Sequence, residues 1–280
     1  MTVTAGALAP ARTALVIYRE VANGTIAGAL AGILVGGIGG RLAMRVAGAL
    51  SDPSLVGVAR TNNDNVLGNI TPDGTFGLII FAGLLPGILG GLVYVAAKPW
   101  LAMLGRWSGL GFGLVLLVAV GPAVIEPFNI DFRKFGSPQL NVTLFALLFV
   151  LFGIAVAALS SLVSRRWTAS SGSAWEVAGI VAVLVAGLVL FLAAFSLVNL
   201  AQSGRVARWD DLFHGEARAA VLYYLLAAPV ALRLAFGRVH PFSDARQLAT
   251  GPRAFSYAVL LAPAVIGLPS TIDAFRFLVR

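Results

Sequence analysis

The side chains best suited to chemistry in this 280-residue chain are charged groups near the ends of long apolar segments. Arg41 and Arg45 lie one helical turn apart, late in the first apolar segment. An arginine at the centre of a membrane span costs about 2.5–3.5 kcal/mol on insertion scales, so it usually faces a partner or a watery cavity. An arginine near the end of a span can instead extend to the interface as an anchor. Both interpretations stay open here.

Further charged residues fall on the same predicted membrane face as these two arginines. The third apolar segment ends with Glu126, Asp131 and Arg133, and the seventh ends with Asp273 and Arg276. Carboxylates close to a guanidinium stabilise its charge and satisfy its planar set of donors. The pattern therefore predicts a polar cluster, which would be either a structural ion-pair network or the mouth of a pathway. Its members are Arg41, Arg45, Glu126, Asp131, Arg133, Asp273 and Arg276.

Residue types for catalysis and metal binding are scarce. The chain contains no cysteine, which excludes disulfides, thiolate metal sites and cysteine nucleophiles. Its two histidines, His214 and His240, fall in consecutive loops on opposite predicted faces, where a bilayer core of about 30 Å would separate them. The sequence has no phosphate-binding glycine loop and no H-E-x-x-H motif. We therefore expect no enzyme activity, no bound metal and no cofactor.

Composition indicates which elements position the charged groups. Hydrophobic residues make up 59% of the chain and charged residues only 11%, whereas a soluble domain carries about 25% charged residues. Several apolar runs exceed about 18 residues, the length that fits a bilayer. The net charge of +8 is spread over the connecting segments, which argues against a nucleic-acid partner. The sequence predicts an all-α polytopic transmembrane bundle, with residues 1–280 as one domain in the lipid bilayer.

Hydropathy predicts about seven spans, within a range of six to eight. Lysine and arginine divide ten against ten between the two faces. If Arg41 and Arg45 are left out because they are embedded in the first span, the face with the N-terminus carries ten basic residues and the other face eight. Under the positive-inside rule this difference favours a cytoplasmic N-terminus. The spans cover approximately residues 21–49, 75–97, 107–127, 141–163, 175–200, 217–236 and 254–277.

An internal similarity links the two halves of the chain. Residues 122–133 read PAVIEPFNIDFR and residues 263–276 read PAVIGLPSTIDAFR, half the chain length apart. The similarity predicts two parallel triplets of spans, residues 21–140 and 175–280, joined by a linker span at residues 141–163. Coincidence in a chain rich in Pro, Ala and Val is the alternative. Prolines at corresponding depths would bend the helices of both triplets: Pro86, Pro122, Pro229 and Pro263.

Glycine spacing predicts close helix packing. The first span has glycine at every fourth position, and the second span repeats this spacing. In lipid, small residues let helix backbones approach closely, and this approach drives association. The glycines therefore predict a packed helix pair within one chain, or an interface in a homo- or hetero-oligomer. They are Gly24, Gly28, Gly32, Gly36 and Gly40, with Gly83, Gly87 and Gly91.

Three stretches resemble a group of bacterial integral membrane proteins described only as hypothetical. They read GGIGGRLAMR, GTFGLIIFAGLLPGILGGLVYVAAKPWL and EPFNIDFRKFGSPQLNVTLFALLFVLFG, within residues 35–155. The resemblance implies no activity, ligand or site. Abundant arginine with little lysine fits a high-GC bacterial genome, so the expected location is the bacterial inner membrane.

Two functions fit these features. The first is a transporter or channel-like protein for a small anionic or polar solute, with the polar cluster as its vestibule. The second is a non-catalytic accessory or scaffold subunit that packs against another membrane complex through the glycine row Gly24–Gly40.

Overall fold

The computed structural model describes residues 5–61, 66, 71–125, 130–169, 173–202, 218–237 and 242–279. Across these ranges the chain is all-α, as its composition predicts. The helices, numbered in chain order, are α1 (Ala5–Ala31), α2 (Gly40–Ala49), α3 (Pro72–Leu78), α4 (Leu85–Leu101), α5 (Ser108–Val120), α6 (Ile130–Lys134), α7 (Pro138–Ala169), α8 (Ser173–Gln202), α9 (Arg218–Gly237) and α10 (Thr250–Val279).

Within the described ranges, five helical runs are long and apolar enough to cross a membrane. A shorter apolar helix, Tyr223–Gly237, lies within α9. The protein is therefore a multi-pass membrane protein by the length and composition of its helices. The count differs from the seven expected spans for two reasons: the second and third expected spans belong to a single helical run, and the sixth corresponds to the shorter helix in α9. The five runs are Thr13–Ala49, Pro72–Val120, Pro138–Trp167, Ala174–Phe195 and Thr250–Asp273.

The run Pro72–Val120 reverses direction near its middle. Contacts make three helix pairs antiparallel: α1 with α4, α1 with α7, and α5 with α7. It follows that α4 and α5 run in opposite directions. The reversal falls in the 3₁₀ segment Ala102–Trp107, where Gly105 has a φ of +52°, which a residue with a side chain rarely adopts. The first helix pair is joined by the contacts Gly24–Gly91 and Gly32–Gly83, and the second by Asn23–Ser160 and, just beyond α1, Gly39–Leu148. The third is joined by Gly109–Gly153 and Gly113–Val150.

Two π-helical segments interrupt the first two runs and pack against each other. Gly32–Gly39 joins α1 to α2, and Ile79–Leu84 joins α3 to α4. Pro86 explains the second segment, because proline has no N–H to donate and its ring crowds the carbonyl of Ala82 four residues earlier. Widening the helix at this point relieves that crowding.

The largest apolar cluster joins α1, α4, α5, α7 and α9. Its fully buried members include Ala27, Val93, Phe112 and Val156. The ring of Tyr94 meets that of Phe112 edge to face, with ring centroids 5.2 Å apart. In contrast, α8 is largely peripheral, and large apolar side chains along it are exposed as a lipid-facing helix requires.

The structure does not show the predicted repeat. Pro122 lies in the 3₁₀ turn Gly121–Ala123 after α5, whereas Pro263 lies inside the 30-residue helix α10. The two Pro-Ala-Val-Ile segments therefore begin in different conformations. Pro86 falls in the first turn of α4, and Pro229 lies inside α9.

Candidate functional site

Arg41 is held at the start of α2, directly after the first π-helical segment. Its side chain is half-buried, and a terminal nitrogen donates to the hydroxyl of Thr75 at 3.1 Å. That hydroxyl in turn donates to the carbonyl oxygen of Thr71 at 2.9 Å. The buried Nε atom of Arg41 has no hydrogen-bond partner. The guanidinium is therefore anchored by a neutral group and keeps a free donor, while Arg45 one turn later is exposed.

The other members of the predicted cluster that the structure describes lie at the same end of the bundle. A Cβ atom on Gly136, just after α6, would lie 3.0 Å from the carbonyl oxygen of Ala47 in α2. Phe275 in α10 packs against Ile125 and Val142, near the ends of α5 and α7. These contacts bring the tips of α2, α5, α6 and α10 to one end.

At this end most of the charged side chains point outward. Arg133, Asp273 and Arg276 are exposed and Asp131 is half-buried, while Glu126 lies outside the described residues. Ions exposed to water or headgroups interact weakly, because solvent screens them. The arrangement is a charged rim around the helix ends, and Arg41 reaches inward from it to Thr75 on the neighbouring helix α3.

The glycines of the first span lie against the second. A Cβ atom on Gly24 would lie 3.0 Å from the carbonyl oxygen of Gly91, and one on Gly32 would lie 2.7 Å from the Cα atom of Gly87. Gly36 faces the carbonyl of Ala82 in the second π-helical segment. Gly40, in contrast, has only a side-chain methyl of Leu78 within 4 Å. Backbone contact is therefore closest along the first part of the row.

A second close contact joins α5 to α7. A Cβ atom on Gly109 would lie 2.7 Å from the carbonyl oxygen of Gly153, and one on Gly113 would lie 2.7 Å from that of Phe149. Gly109 and Gly113 share the four-residue spacing of the first two spans, whereas Gly153 has no glycine four residues before or after it, so spacing alone does not reveal it. Two of the main helix contacts thus have backbone against backbone, with no room for side chains between them.

A shallow depression lies between α4 and α9, lined by Leu89, Val93, Tyr223 and Leu226. Three of its four lining residues are aliphatic, and it is too narrow to admit a water molecule. It has no charged group to attract an ion. This depression does not resemble a solute-binding pocket, which needs a few convergent polar groups.

An ion pair that sequence reasoning missed joins α1 to α9 at the opposite end of the bundle. Arg233 donates to the Glu20 carboxylate and, at 3.2 Å, to the carbonyl oxygen of Val95 in α4. Both charged side chains are partly buried. The only available signal was that both residues fall near the ends of spans on the same predicted face. The pair ties three helices together.

Aromatic side chains surround this end. Tyr18 lies edge to face with Trp167, which is 6.1 Å from Trp175 between ring centroids. The hydroxyl of Tyr257 donates to the carbonyl oxygen of Trp100 at 3.1 Å. Amphipathic aromatic rings favour the headgroup level of a bilayer, so they mark where this end meets the interface.

Comparisons with known proteins add no family to these observations. No family model matches the chain, and neither a curated protein nor a solved structure is significantly similar to it. The resemblance to hypothetical bacterial membrane proteins therefore has no supporting relative. Within the part of the chain that the structure describes, no three His, Asp or Glu side chains are grouped as a metal site requires. His214 and His240 lie outside that part.

Proposed function

We propose that this chain is a non-catalytic accessory or scaffold protein that packs beside other membrane proteins and carries no solute itself. The observation that supports this function is the tight closure of the helix contacts. Helix backbones touch where a solute pathway would need space, at Gly28 with Gly87 and at Gly109 with Gly153. Among the described residues, the depression between α4 and α9 is mostly apolar, whereas a solute path needs polar groups and water.

The surface for a partner would be the outer face of α8. The glycine row Gly24–Gly40 is largely covered by the second helical run of the same chain, so it is not free for docking. Apolar residues exposed along α8 form one extended face, and another apolar helix could cover it. The most exposed of these residues are Val177, Leu184, Leu188, Phe191 and Phe195.

A photo-crosslinking amino acid at Leu184 tests this function in native membranes. We expect adducts with one other membrane protein, because the Leu184 side chain points away from the bundle. The same probe at Ile88, which is fully buried against α8, is the matched control and should link only within the chain. Adducts with lipid alone from Leu184 would overturn the scaffold function.

A second candidate is a carrier or channel for a small anionic or polar solute. Two observations favour it: the paired π-helical segments, and Arg41 beside them with a free donor. π-helical segments are frequent at functional sites, and the two together could act as a hinge that opens the bundle. In this candidate the chain crosses the bilayer seven times, because α4 and α5 run antiparallel and count as two crossings, and the shorter helix in α9 is a further one.

Flux measurements in liposomes distinguish the two functions. Purified protein would be reconstituted and tested with chloride, phosphate, sulfate and acetate. The scaffold function predicts no flux above that of empty liposomes. Flux that is lost in Arg41→Gln but kept in Arg276→Gln, whose side chain is exposed at the rim, would support the carrier and contradict the scaffold.

A further inference from the structure

A polar group lies buried between α1 and α7. Asn23 and Ser160 are only 6% and 1% exposed. Asn23 donates through Nδ2 to the carbonyl oxygen of Ser160 at 3.2 Å and to the hydroxyl of Ser164 at 2.6 Å. These bonds fix the orientation of the carboxamide across the helix contact.

Two oxygen atoms in this group lack partners. Asn23 Oδ1 and Ser160 Oγ are both buried, and neither makes a hydrogen bond to the protein. Turning the carboxamide over does not help, because Oδ1 would then face the Ser160 carbonyl, acceptor against acceptor. A buried polar atom without a partner is costly, and lipid offers it none.

The site lies below the interface. Asn23 is five residues after Tyr18, or about 7–8 Å along a helix. Tyr18 packs with Trp167, which marks the headgroup level at this end. Ser164 is half-buried and lies one turn from Ser160 towards that level. The hydroxyl of Ser164 therefore lies on a short polar route from the interface to the two unpartnered oxygens.

We propose that Asn23 and Ser160 hold one internal water molecule. Water can donate to Asn23 Oδ1 and can either donate to or accept from the Ser160 hydroxyl, so a single molecule between them offers the bond that each atom lacks. Two polar partners lie within the range that internal waters have in proteins. A cation fits the site poorly, because no carboxylate belongs to it and the nearby Glu20 is already paired with Arg233.

Replacing Ser160 by alanine tests the proposal through the sign of the stability change. If a water is bound, Ser160→Ala removes one of its partners and lowers the unfolding midpoint of the full chain in lipid nanodiscs by about 2–4 °C. If no water is bound, the substitution deletes an unsatisfied hydroxyl, and the midpoint stays constant or rises. Either of these two results overturns the proposal.

The neighbouring serine provides a matched control. Ser161 is exposed and donates to the carbonyl oxygen of Ala158, so Ser161→Ala should leave the midpoint unchanged. A direct measurement is water-edited NMR of asparagine-labelled wild-type protein, with the Asn23 side-chain signal assigned by its loss in Asn23→Leu. We expect transfer from bound water to that signal. Absence of this transfer overturns the proposal whatever the unfolding midpoint.

Discussion

Gly28 and Gly87 meet backbone to backbone where the first two helical runs cross. A Cβ atom on Gly87 would lie 2.5 Å from the carbonyl oxygen of Gly28, and one on Gly28 would lie 2.8 Å from the Cα atom of Gly91. Real Cβ contacts are essentially never shorter than 3.0 Å. Because the obstructing atoms belong to a helix backbone rather than to a flexible side chain, the helices themselves would have to separate.

Gly28→Ala is therefore expected to destabilise the bundle by about 1–3 kcal/mol, the usual range for overpacking a tight contact. Unfolding in detergent or nanodiscs measures the change. Gly187→Ala is the matched control, because Gly187 is also in a helix but has nothing within 4 Å of its Cβ position. Alanine is the better helix former, so the control should be neutral or slightly stabilising. Equal stability of the two variants would contradict the packing described here.

The ion pair between Glu20 and Arg233 is expected to stabilise the contact of α1 with α9. Glu20→Gln should lower stability by about 1–3 kcal/mol, because a partly buried guanidinium loses its charged partner. A double-mutant cycle with Arg233→Gln measures the coupling directly. Arg246→Gln is the comparison: Arg246 is exposed and lies 3.7 Å from Asp244, so its loss should cost under about 1 kcal/mol. A coupling of zero between Glu20 and Arg233 would refute this role.

Single cysteines can test the arrangement of the helices cleanly, because the chain contains none of its own. Ala59 packs against Phe135, so Val58→Cys and Lys134→Cys should react with a membrane-impermeant reagent from the same side. Arg246 donates to the carbonyl oxygen of Met103, so Met103→Cys and Gln247→Cys should both react from the other side.

Labelling in intact cells and in inverted vesicles distinguishes the two sides. The same experiment determines the orientation of the N-terminus. Reaction of Val58→Cys and Met103→Cys from one side would contradict the crossing of α4.

The carboxylate of Asp52 begins a short 3₁₀ turn in the loop after α2. It accepts from the backbone N–H of Ser54 at 2.9 Å and from the Ser54 hydroxyl at 2.8 Å. These bonds, the backbone one most, lower the pKa of Asp52 below its ordinary value of 3.8. Because folding lowers this pKa, the ionised carboxylate stabilises the turn at pH values above 3.8. This stabilisation is lost as the pH falls through the folded-state pKa.

A carboxyl NMR titration measures that pKa. Ser54→Ala should raise the pKa of Asp52 only part of the way, since the backbone N–H remains. A wild-type pKa at or above 3.8, or a Ser54→Ala variant with the same pKa as the wild type, would contradict the described turn.

Sequence reasoning reached the membrane class and the helical content, because the transfer of an apolar segment into lipid depends on that segment alone. It treated residues 75–97 and 107–127 as separate spans; the structure joins them at Gly105 into one helical run whose two halves, α4 and α5, are antiparallel and so remain two passes. It did not anticipate the π-helical segments. The crowding at Pro86 was visible in the sequence, but the response of the helix depends on the backbone packed against it.

The charged residues show what a pattern in one sequence can predict and what it cannot. The order of the spans placed Arg41 and Asp273 on one predicted face, and the contacts of Ala47 and Phe275 bring their helices to one end. The partner of Arg41 is Thr75, a neutral residue that no charge pattern would select.

By itself, the sequence determined that this chain enters a membrane as helices and that its charges lie mainly at helix ends, since both follow from the local free energy of transfer into lipid. Only the tertiary structure decided which helices are neighbours. Glu20 and Arg233 are separated by most of the chain, and Asn23 and Ser160 by about half of it. Whether such distant residues meet depends on how complete helix surfaces fit together. In lipid this fit depends on shape and a few polar bonds rather than on hydrophobic contrast, so hydropathy carries almost no information about it.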